Sequence, residues 1–162
     1  MNKGNLLAVF ILDEQRYALY LSVVERVVGV VEITPLPKAP DIVLGVVNVQ
    51  GKIILVVDIR KRFHLPEREM NLSDHLIIAH TSRRTIALVA DTVTGVLELS
   101  DDEIIGKEEI LSGLEYVDGV VKLEDGMILI HDLEKFLSLE EEKAISDQLS
   151  GLGNQGSGEK ND

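Results

Sequence analysis

Short β-branched and aliphatic runs recur along this chain between turn residues, at spacings too tight for helices. Several connections are short enough for hairpins, among them Gln50-Gly51 and the segments 13–15, 82–84 and 124–126. The pattern predicts about ten strands. They span residues 6–12, 17–21, 27–33, 42–49, 53–57, 76–80, 85–89, 93–99, 117–123 and 127–130.

Such a chain is typical of the all-β class, and short strands in this number suit either a sandwich or a pair of small closed barrels. Helical signals are few. Ser22 and Glu25 have the capping-box spacing and predict a single turn. Asp58 is expected to cap a second short helix over residues 58–63.

The C-terminal part carries the longest helical signal. Ser138 repeats the capping-box spacing, and Leu139, Ile145 and Leu149 supply one apolar face for a helix that should end near Leu149. The glycine-rich residues that follow cannot bury enough surface to offset their ordering entropy, so we predict a flexible tail there.

Length and composition favour one compact unit. The chain has 162 residues, 45% of them apolar, which is enough for one ordinary core or two very small ones. The longest apolar run, residues 6–12, is far shorter than the roughly 20 residues of a membrane-spanning helix. No signal-peptide pattern and no cysteine occur. We therefore expect a cytoplasmic protein without disulfides or inserted membrane segments.

The net charge of −12 is distributed unevenly. Residues 1–90 hold 11 basic and 9 acidic side chains, whereas residues 91–142 hold 3 basic and 16 acidic ones. An acidic half repels phosphate backbones, and three Phe and three Tyr provide no stacking surface for bases. Nucleic acid is therefore a poor candidate partner. The acidic half is interpreted as a solvated surface, with a basic partner surface as the alternative.

The histidines show no catalytic or metal-binding pattern. His75 and His80 are five residues apart and would point to opposite faces of one strand, so they could not share an ion. His131 precedes Asp132 and could act as a base only beside a nucleophile, yet no Gly-x-Ser-x-Gly turn presents one. We expect no catalytic residue, metal or cofactor, and interpret His131 as a packed side chain.

Phosphate-binding glycine loops and zinc-hydrolase motifs are also absent from the sequence. These observations indicate a protein that acts by contact, through strand edges, barrel ends or a groove between subdomains. The alternative from another class is a small-ligand-binding or hydrolytic β-barrel protein, which would require a polar constellation in such a groove.

A specific resemblance lies in the first half of the chain. Residues 33–40 read ITPLPKAP, residues 44–52 read LGVVNVQGK, and residues 56–63 read VVDIRKRF. Together with VADTV at 89–93 and LIHDLEKFL at 129–137, this combination strongly resembles the CheW family of bacterial chemosensory coupling proteins.

The resemblance covers residues 6–142 and implies two packed five-stranded SH3-like barrels with no enzymatic activity. Residues 143–162 would hold the end of the C-terminal helix and the tail. The implied role is an adaptor, recruited to receptor arrays, that couples the cytoplasmic signalling tip of chemoreceptors to the regulatory domain of a CheA-type histidine kinase. An adaptor of a pilus or developmental pathway with the same fold is the open alternative.

The resemblance also implies two binding surfaces. The receptor-binding residues would be Val24, Arg26, Gly45, Asn48, Gln50, Gly51 and Val96. The kinase-binding residues are expected at strand ends, at Val28, Val30, Val31, Ile42 and Val43. For each apolar position a place in the core is the open alternative.

Two residues depart from the family pattern. Gln50 stands where the family's Asn-Leu-Arg-Gly turn has arginine, and Arg26 stands where glutamate is common. One charge is lost and another reversed, which is enough to exclude partners that suit the usual pair. We hypothesise that this chain couples a receptor class other than the standard chemotaxis set.

Overall fold

The computed structural model describes residues 5–106 and 116–160, and their backbone confirms the all-β class. Eleven strands, a one-turn helix and a longer C-terminal helix occur in these residues. The strands are β1 (Asn5–Leu12), β2 (Gln15–Tyr20), β3 (Val24–Gly29), β4 (Val43–Val49), β5 (Lys52–Val57), β6 (His75–His80), β7 (Thr85–Ala90), β8 (Thr92–Leu99), β9 (Ile104–Gly106), β10 (Val117–Leu123) and β11 (Gly126–His131). The helices are α1 (Ile59–Arg62) and α2 (Leu139–Lys160).

The strands form two sheets, each rolled into a small barrel. The first barrel has the order β3-β6-β7-β5-β4, and a bridge between Thr34 and Val46 joins the chain beyond β3 to β4. The second barrel has the order β8-β1-β2-β11-β10-β9. Because β1 and β2 belong to the second barrel, the N-terminal hairpin packs with strands from the other end of the chain. Each barrel holds one parallel pair, β5 with β7 and β2 with β11.

Three hydrophobic clusters fill this architecture, one inside each barrel and one between them. Strand β5 contributes different residues to two of these clusters. Ile54 and Val56 face the core of the first barrel, whereas Leu55 and Val57 face the core shared by both barrels. A strand with both faces buried needs a continuous apolar run, so β5 lacks the polar alternation of a solvent-facing strand.

The shared core joins the two barrels. Phe10 and Tyr17 enter it from the second barrel, Ile86 and Leu88 enter it from the first, and Phe136 fills it before α2. Because Phe10, Ile86, Leu88 and Phe136 are each 0% exposed, each contributes about 1.5–3 kcal/mol of burial free energy. The barrels are therefore parts of one folding unit.

A network of ion pairs also ties the barrels together, around Asp91 in the link between β7 and β8. Arg60 of α1 contacts Asp91 at 2.8 Å and Asp13 of the β1–β2 turn at 2.9 Å. Arg68 contacts Asp91 at 2.5 Å and the buried Asp74 at 2.9 Å. Burial by itself raises the pKa of Asp91, but the hydrogen bonds from Arg60 and Arg68 outweigh it and hold that pKa below its ordinary value.

The structure differs from the sequence predictions around β3. The predicted single turn forms as a 3₁₀ turn at Leu21–Val23, but it lacks the capping box, because Val24 already pairs with β6. The strand predicted over 27–33 ends at Gly29, where its partner β6 begins. Tertiary pairing overrides local capping in the first case, and the end of the partner strand stops the ladder in the second.

Two further differences lie in the C-terminal half, a strand that was not predicted and a helix longer than predicted. The short strand β9 pairs with β10 through only three residues, too few to give a periodic signal. Helix α2 continues past Leu149, its predicted end, to Lys160, where a flexible tail was expected. Helix propagation adds one hydrogen bond per residue, and glycine lowers helix propensity without forbidding the helix. Asn161 and Asp162 lie outside the described residues.

The other helix predictions are confirmed. The Asp58 side chain accepts a hydrogen bond from the Lys61 amide at the start of α1. Ser138 and Glu141 form the reciprocal capping box at the start of α2, at 2.8 and 3.1 Å. In the described part of the chain, no helix has the length and apolar character needed to cross a membrane.

Candidate functional site

A groove of about 380 Å³ runs beside the β4–β5 hairpin on the first barrel, and we call it the hairpin groove. Its apolar lining comes from β4, β5 and the last helix, with Val46, Ile53 and Leu149 as members. Arg26 of β3 and Arg84 also line it. Ile53 is 62% exposed, so the groove offers apolar surface beside charged side chains of both signs, since Glu25 and Lys52 also line it.

The hairpin turn beside this groove is rigidly defined. Gln50 and Gly51 connect β4 to β5 and have φ values of 51° and 85°. Positive φ at both central residues is the geometry of the two-residue turn that suits the twist of a hairpin. The Asn48 side chain accepts a hydrogen bond from the Gly51 amide at 2.9 Å. Asn48, Gln50 and Gly51 are all exposed, so the turn presents them together.

The two departures from the family pattern meet at this turn. Arg26 Nη1 donates a hydrogen bond to Gln50 Oε1 at 2.7 Å, although the residues are 24 positions apart. Their separation in the sequence gives no sign that the two side chains touch. The structure makes them one coupled change, in which the cation sits on the strand and a neutral amide sits on the turn.

Gly45, a predicted receptor-binding residue, does not lie on the surface. It is buried with φ +151°, at a register shift between β4 and β5. A Cβ there would collide with the Thr34 carbonyl oxygen and approach Ile33 Cγ2 to 2.9 Å. Since Thr34 forms the bridge to β4, Gly45 permits the contact that closes the first barrel.

The structure separates the other predicted residues by burial. Ile42 is 2% exposed and belongs to the shared core, so it offers no accessible side chain. The half-buried predicted residues pack on the cores, Val24 and Val43 on the shared core and Val28 and Val30 on the first-barrel core. All five therefore contact a core, and Ile42 is the one of them that is fully buried.

Val31 and Val96 remain as exposed apolar positions, at 39% and 59%. Val96 lies on β8 of the second barrel, opposite Ala8 of β1, and no contact among the described residues joins it to the hairpin groove. Among the predicted receptor residues, Arg26 and the turn residues Asn48, Gln50 and Gly51 therefore form one group on the first barrel. Val96 lies apart from them on the second barrel.

Sequence reasoning missed two exposed apolar residues near the predicted kinase edge. Leu44 and Met70 are both 39% exposed and line a second cavity of about 480 Å³ with Ile33. Leu44 sat within a predicted strand, where its solvent-side position between buried neighbours was the available signal. Met70 lies in the irregular segment before β6, and no pattern marks it.

His131 sits in the shared core and takes no part in a polar site. It is 2% exposed, and its ring stacks on Phe63 with centroids 4.1 Å apart. Neither ring nitrogen bonds to a protein group in the described residues. Burial lowers the pKa of His131 to about 3, so the ring is neutral near pH 7. The interpretation as a packed histidine is confirmed.

We expect His131 to make folding stability depend on pH. Its pKa is about 3 in the folded state against 6.5 ordinarily, so below pH 6.5 the unfolded chain binds the additional proton. The stabilisation is complete above pH 6.5 and falls by about 3 kcal/mol between pH 7 and pH 4. His131→Phe should remove this slope, measured by urea unfolding at each pH. Asp91 and Glu141 are common to both proteins, so equal slopes would contradict the assignment.

The polar side chains at the hairpin groove make ion pairs and hydrogen bonds with one another. Arg84 contacts Glu142 of α2 at 2.8 Å, and Arg26 contacts Gln50. Within the described residues, no group of three His, Asp or Glu side chains could hold a metal ion. What the arrangement supports is recognition by contact, on a grooved surface that carries a rigid turn. Fold and site together define a two-barrel protein-binding module.

Comparison with known families gives this class a more specific identity. The family profile of the CheW-like domain matches residues 7–141. The chain belongs to the CheW family. The recognition and the function predicted from the sequence, a chemotaxis adaptor of the CheW type, are thereby confirmed, and the small-ligand or hydrolase alternative is not favoured.

Individual relatives match this chain over most of their own length. The chain is 30% identical to the chemotaxis protein CheW of Rhizobium meliloti over 145 residues, which cover 88% of this chain and 94% of that one. It is 29% identical to CheW of Thermotoga maritima, covering 79% and 84%. The crystal structure of the scaffolding protein TtCheW from Thermoanaerobacter tengcongensis matches with a TM-score of 0.77 and 29% identity, covering 85% of this chain and 95% of that one.

Proposed function

We propose that this chain is a non-enzymatic cytoplasmic adaptor that links chemoreceptor signalling tips to a CheA-type kinase through two separate surfaces. The observation that carries the proposal is the exposed turn beside the hairpin groove, on a CheW-family fold, with the Arg26–Gln50 hydrogen bond at its edge. Two surfaces are sufficient for an adaptor, because tethering two partners raises their effective concentration without any chemistry.

The receptor face consists of Arg26 with the turn residues Asn48, Gln50 and Gly51. Three of these four residues are exposed, and the two-residue turn with positive φ at Gln50 and Gly51 fixes the backbone that carries them. Preorganisation of this kind lowers the entropy lost on binding. Gly45 supports this face from below by allowing β4 to pass under Thr34. We assign Val96 a peripheral role on the second barrel.

The kinase face lies on the other flank of the first barrel. Val31, Leu44 and Met70 are each 39% exposed, and Leu44 and Met70 line one cavity. Leu44 and Met70 lie together at this cavity, and exposed apolar side chains that adjoin one another favour a protein contact. The buried or half-buried Val28, Val30, Ile42 and Val43 hold the strands and loop behind this face.

The Arg26–Gln50 pair supports the hypothesis of an altered receptor class. In the usual family pattern the cation lies on the turn, where this chain has a neutral amide. Here the cation lies on β3, and Nη1 is already bonded to Gln50. A complementary receptor would present its hydrogen-bond acceptor towards β3 and not towards the turn.

The direct test is affinity capture of the tagged full chain from a lysate of its native host, with mass spectrometry of the eluate. We expect a CheA-type kinase and a chemoreceptor to co-elute with the wild-type chain. Arg26→Glu should lose the receptor and keep the kinase, and Val31→Asp should do the reverse. The identity of the receptor distinguishes motility from pilus or developmental pathways.

The two variants control for each other, because each must retain one partner to show that it is folded. Recovery of neither partner by the wild-type chain would refute the coupling role. Simultaneous loss of both partners in a folded Arg26→Glu chain would refute the separation into two faces.

A further inference from the structure

The first turns of α2 are firmly attached to the first barrel. Glu141 accepts two hydrogen bonds from Arg62, at 2.6 and 2.7 Å. Glu142 contacts Arg84 at 2.8 Å and is buried. Ile145 is 1% exposed and belongs to the shared core. Hydrogen-bonded ion pairs and a buried side chain therefore fix the helix up to Ile145.

The next turn of α2 reaches the hairpin groove without a buried ion pair, and Leu149 packs only on the edge of the shared core. Leu149 lines the groove together with Val46 and Ile53, and it is only half-buried. Gln148 Nε2 donates an exposed hydrogen bond to the Pro37 carbonyl at 2.6 Å. An exposed hydrogen bond contributes little net free energy, because water replaces it when it opens.

The composition of α2 changes at this same turn. Glycine occurs at positions 151, 153, 156 and 158, within the helix that ends at Lys160. Glycine is among the weakest helix formers, so the segment beyond Leu149 adds little to hold the Leu149 turn in place. The helix thus passes from a half held by buried ion pairs to a turn held by the half-buried Leu149 and one exposed hydrogen bond.

We propose that the turn of α2 at Gln148 and Leu149 is a movable cover over one end of the hairpin groove, and that a receptor helix enters the groove by displacing it. This inference rests on the proposed function for the identity of the occupant, but the cover itself does not. The apolar Leu149 side chain occupies part of the surface that an apolar helix face would contact. A partner must therefore compete with a segment of the chain itself.

The cover can be tested without any receptor, because the chain has no cysteine. Val46 is half-buried in the groove, so a single Val46→Cys thiol reports its opening through the rate of labelling with a maleimide reagent. In that background, Gln148→Ala with Leu149→Ser should raise the labelling rate about threefold to tenfold. Gly151→Ala with Gly153→Ala strengthens the helix and should lower the rate.

Asp147→Asn is the matched control. Asp147 lies on the same turn of α2 and is exposed, and its side chain makes no hydrogen bond or ion pair with another described residue. It should leave the labelling rate unchanged. Thermal unfolding by circular dichroism confirms that each variant is folded. Equal labelling rates in the cover variants and the wild-type background would overturn the proposal.

Binding then separates the cover from the proposed function. The probe is the purified cytoplasmic fragment of the chemoreceptor that the affinity capture recovers, titrated by calorimetry. The double variant at Gln148 and Leu149 should bind it about threefold to tenfold more tightly than the wild-type chain. Weaker binding would mean that Leu149 is part of the docking surface, and it would overturn the cover. Failure of every variant to bind would refute the receptor role, while the labelling rates would still decide on the cover.

Discussion

Replacing Gly45 with alanine is expected to destabilise the chain by about 3 kcal/mol or more, and replacement with aspartate by more than that. The added Cβ collides with the Thr34 carbonyl oxygen, and φ +151° strains any residue other than glycine. Backbone cannot move aside as a flexible side chain can, so the bridge between Thr34 and Val46 must open. Urea unfolding followed by circular dichroism gives the change in the free energy of unfolding.

Gly29 of β3 provides the matched control in the same barrel. A Cβ at Gly29 has no neighbour within 4 Å, and its φ is not positive. Gly29→Ala should therefore change stability by less than about 0.5 kcal/mol. Similar unfolding midpoints for the two alanine variants would contradict the role assigned to Gly45. Loss of partner binding in Gly45→Asp reports on folding and does not locate a receptor contact.

Exchanging the charges of the Arg26–Gln50 pair is expected to change receptor choice. Gln50→Arg alone brings two guanidinium groups to the place of a 2.7 Å hydrogen bond, so it should weaken binding of every receptor and loosen the turn. Arg26→Glu together with Gln50→Arg recreates the ion pair of the usual family pattern. The double variant should bind a standard chemotaxis receptor tip about tenfold or more tightly than the wild-type chain does.

A double-mutant cycle, with each affinity measured by calorimetry against a standard tip fragment and the chain's own receptor, isolates the coupling between the two positions. Arg83→Glu is the matched control, because it reverses one exposed charge in the 82–84 turn without touching the pair. No gain for the standard tip in the double variant, or the same gain in Arg83→Glu, would refute the hypothesis of altered specificity.

The fold class could be predicted from the sequence because each strand except β9 corresponds to a local run of apolar residues between turn residues. Aliphatic runs between turn residues placed ten of the eleven strands seen in the described residues, and the exception, β9, pairs through only three residues. Helix caps at Asp58 and Ser138 were also predictable, since a cap involves residues three positions apart. The box at Ser22 failed because pairing of Val24 with β6 decided that segment.

The site was predictable only in part. The exposed turn residues carry a sequence signature, whereas burial of Gly45 and Ile42 depends on what packs over them. A glycine in a strand has the same sequence signal whether it contacts a partner or lies beneath Thr34. Gly45 and Ile42 are buried and do not lie on the surface, because β4 and the loop before it lie between two apolar cores.

The amino-acid sequence is sufficient to predict the strand content, the two well-capped helices, the acidic balance and the family, since each depends on neighbouring residues or on short motifs. The folded structure is needed to show which cores the strands share, how the N-terminal hairpin joins the second barrel, and that Arg26 meets Gln50. Those facts depend on contacts between distant residues, such as the parallel pairing of β2 with β11. Local periodicity shows which residues alternate in a strand, but the partner on each face is determined by packing of the whole chain.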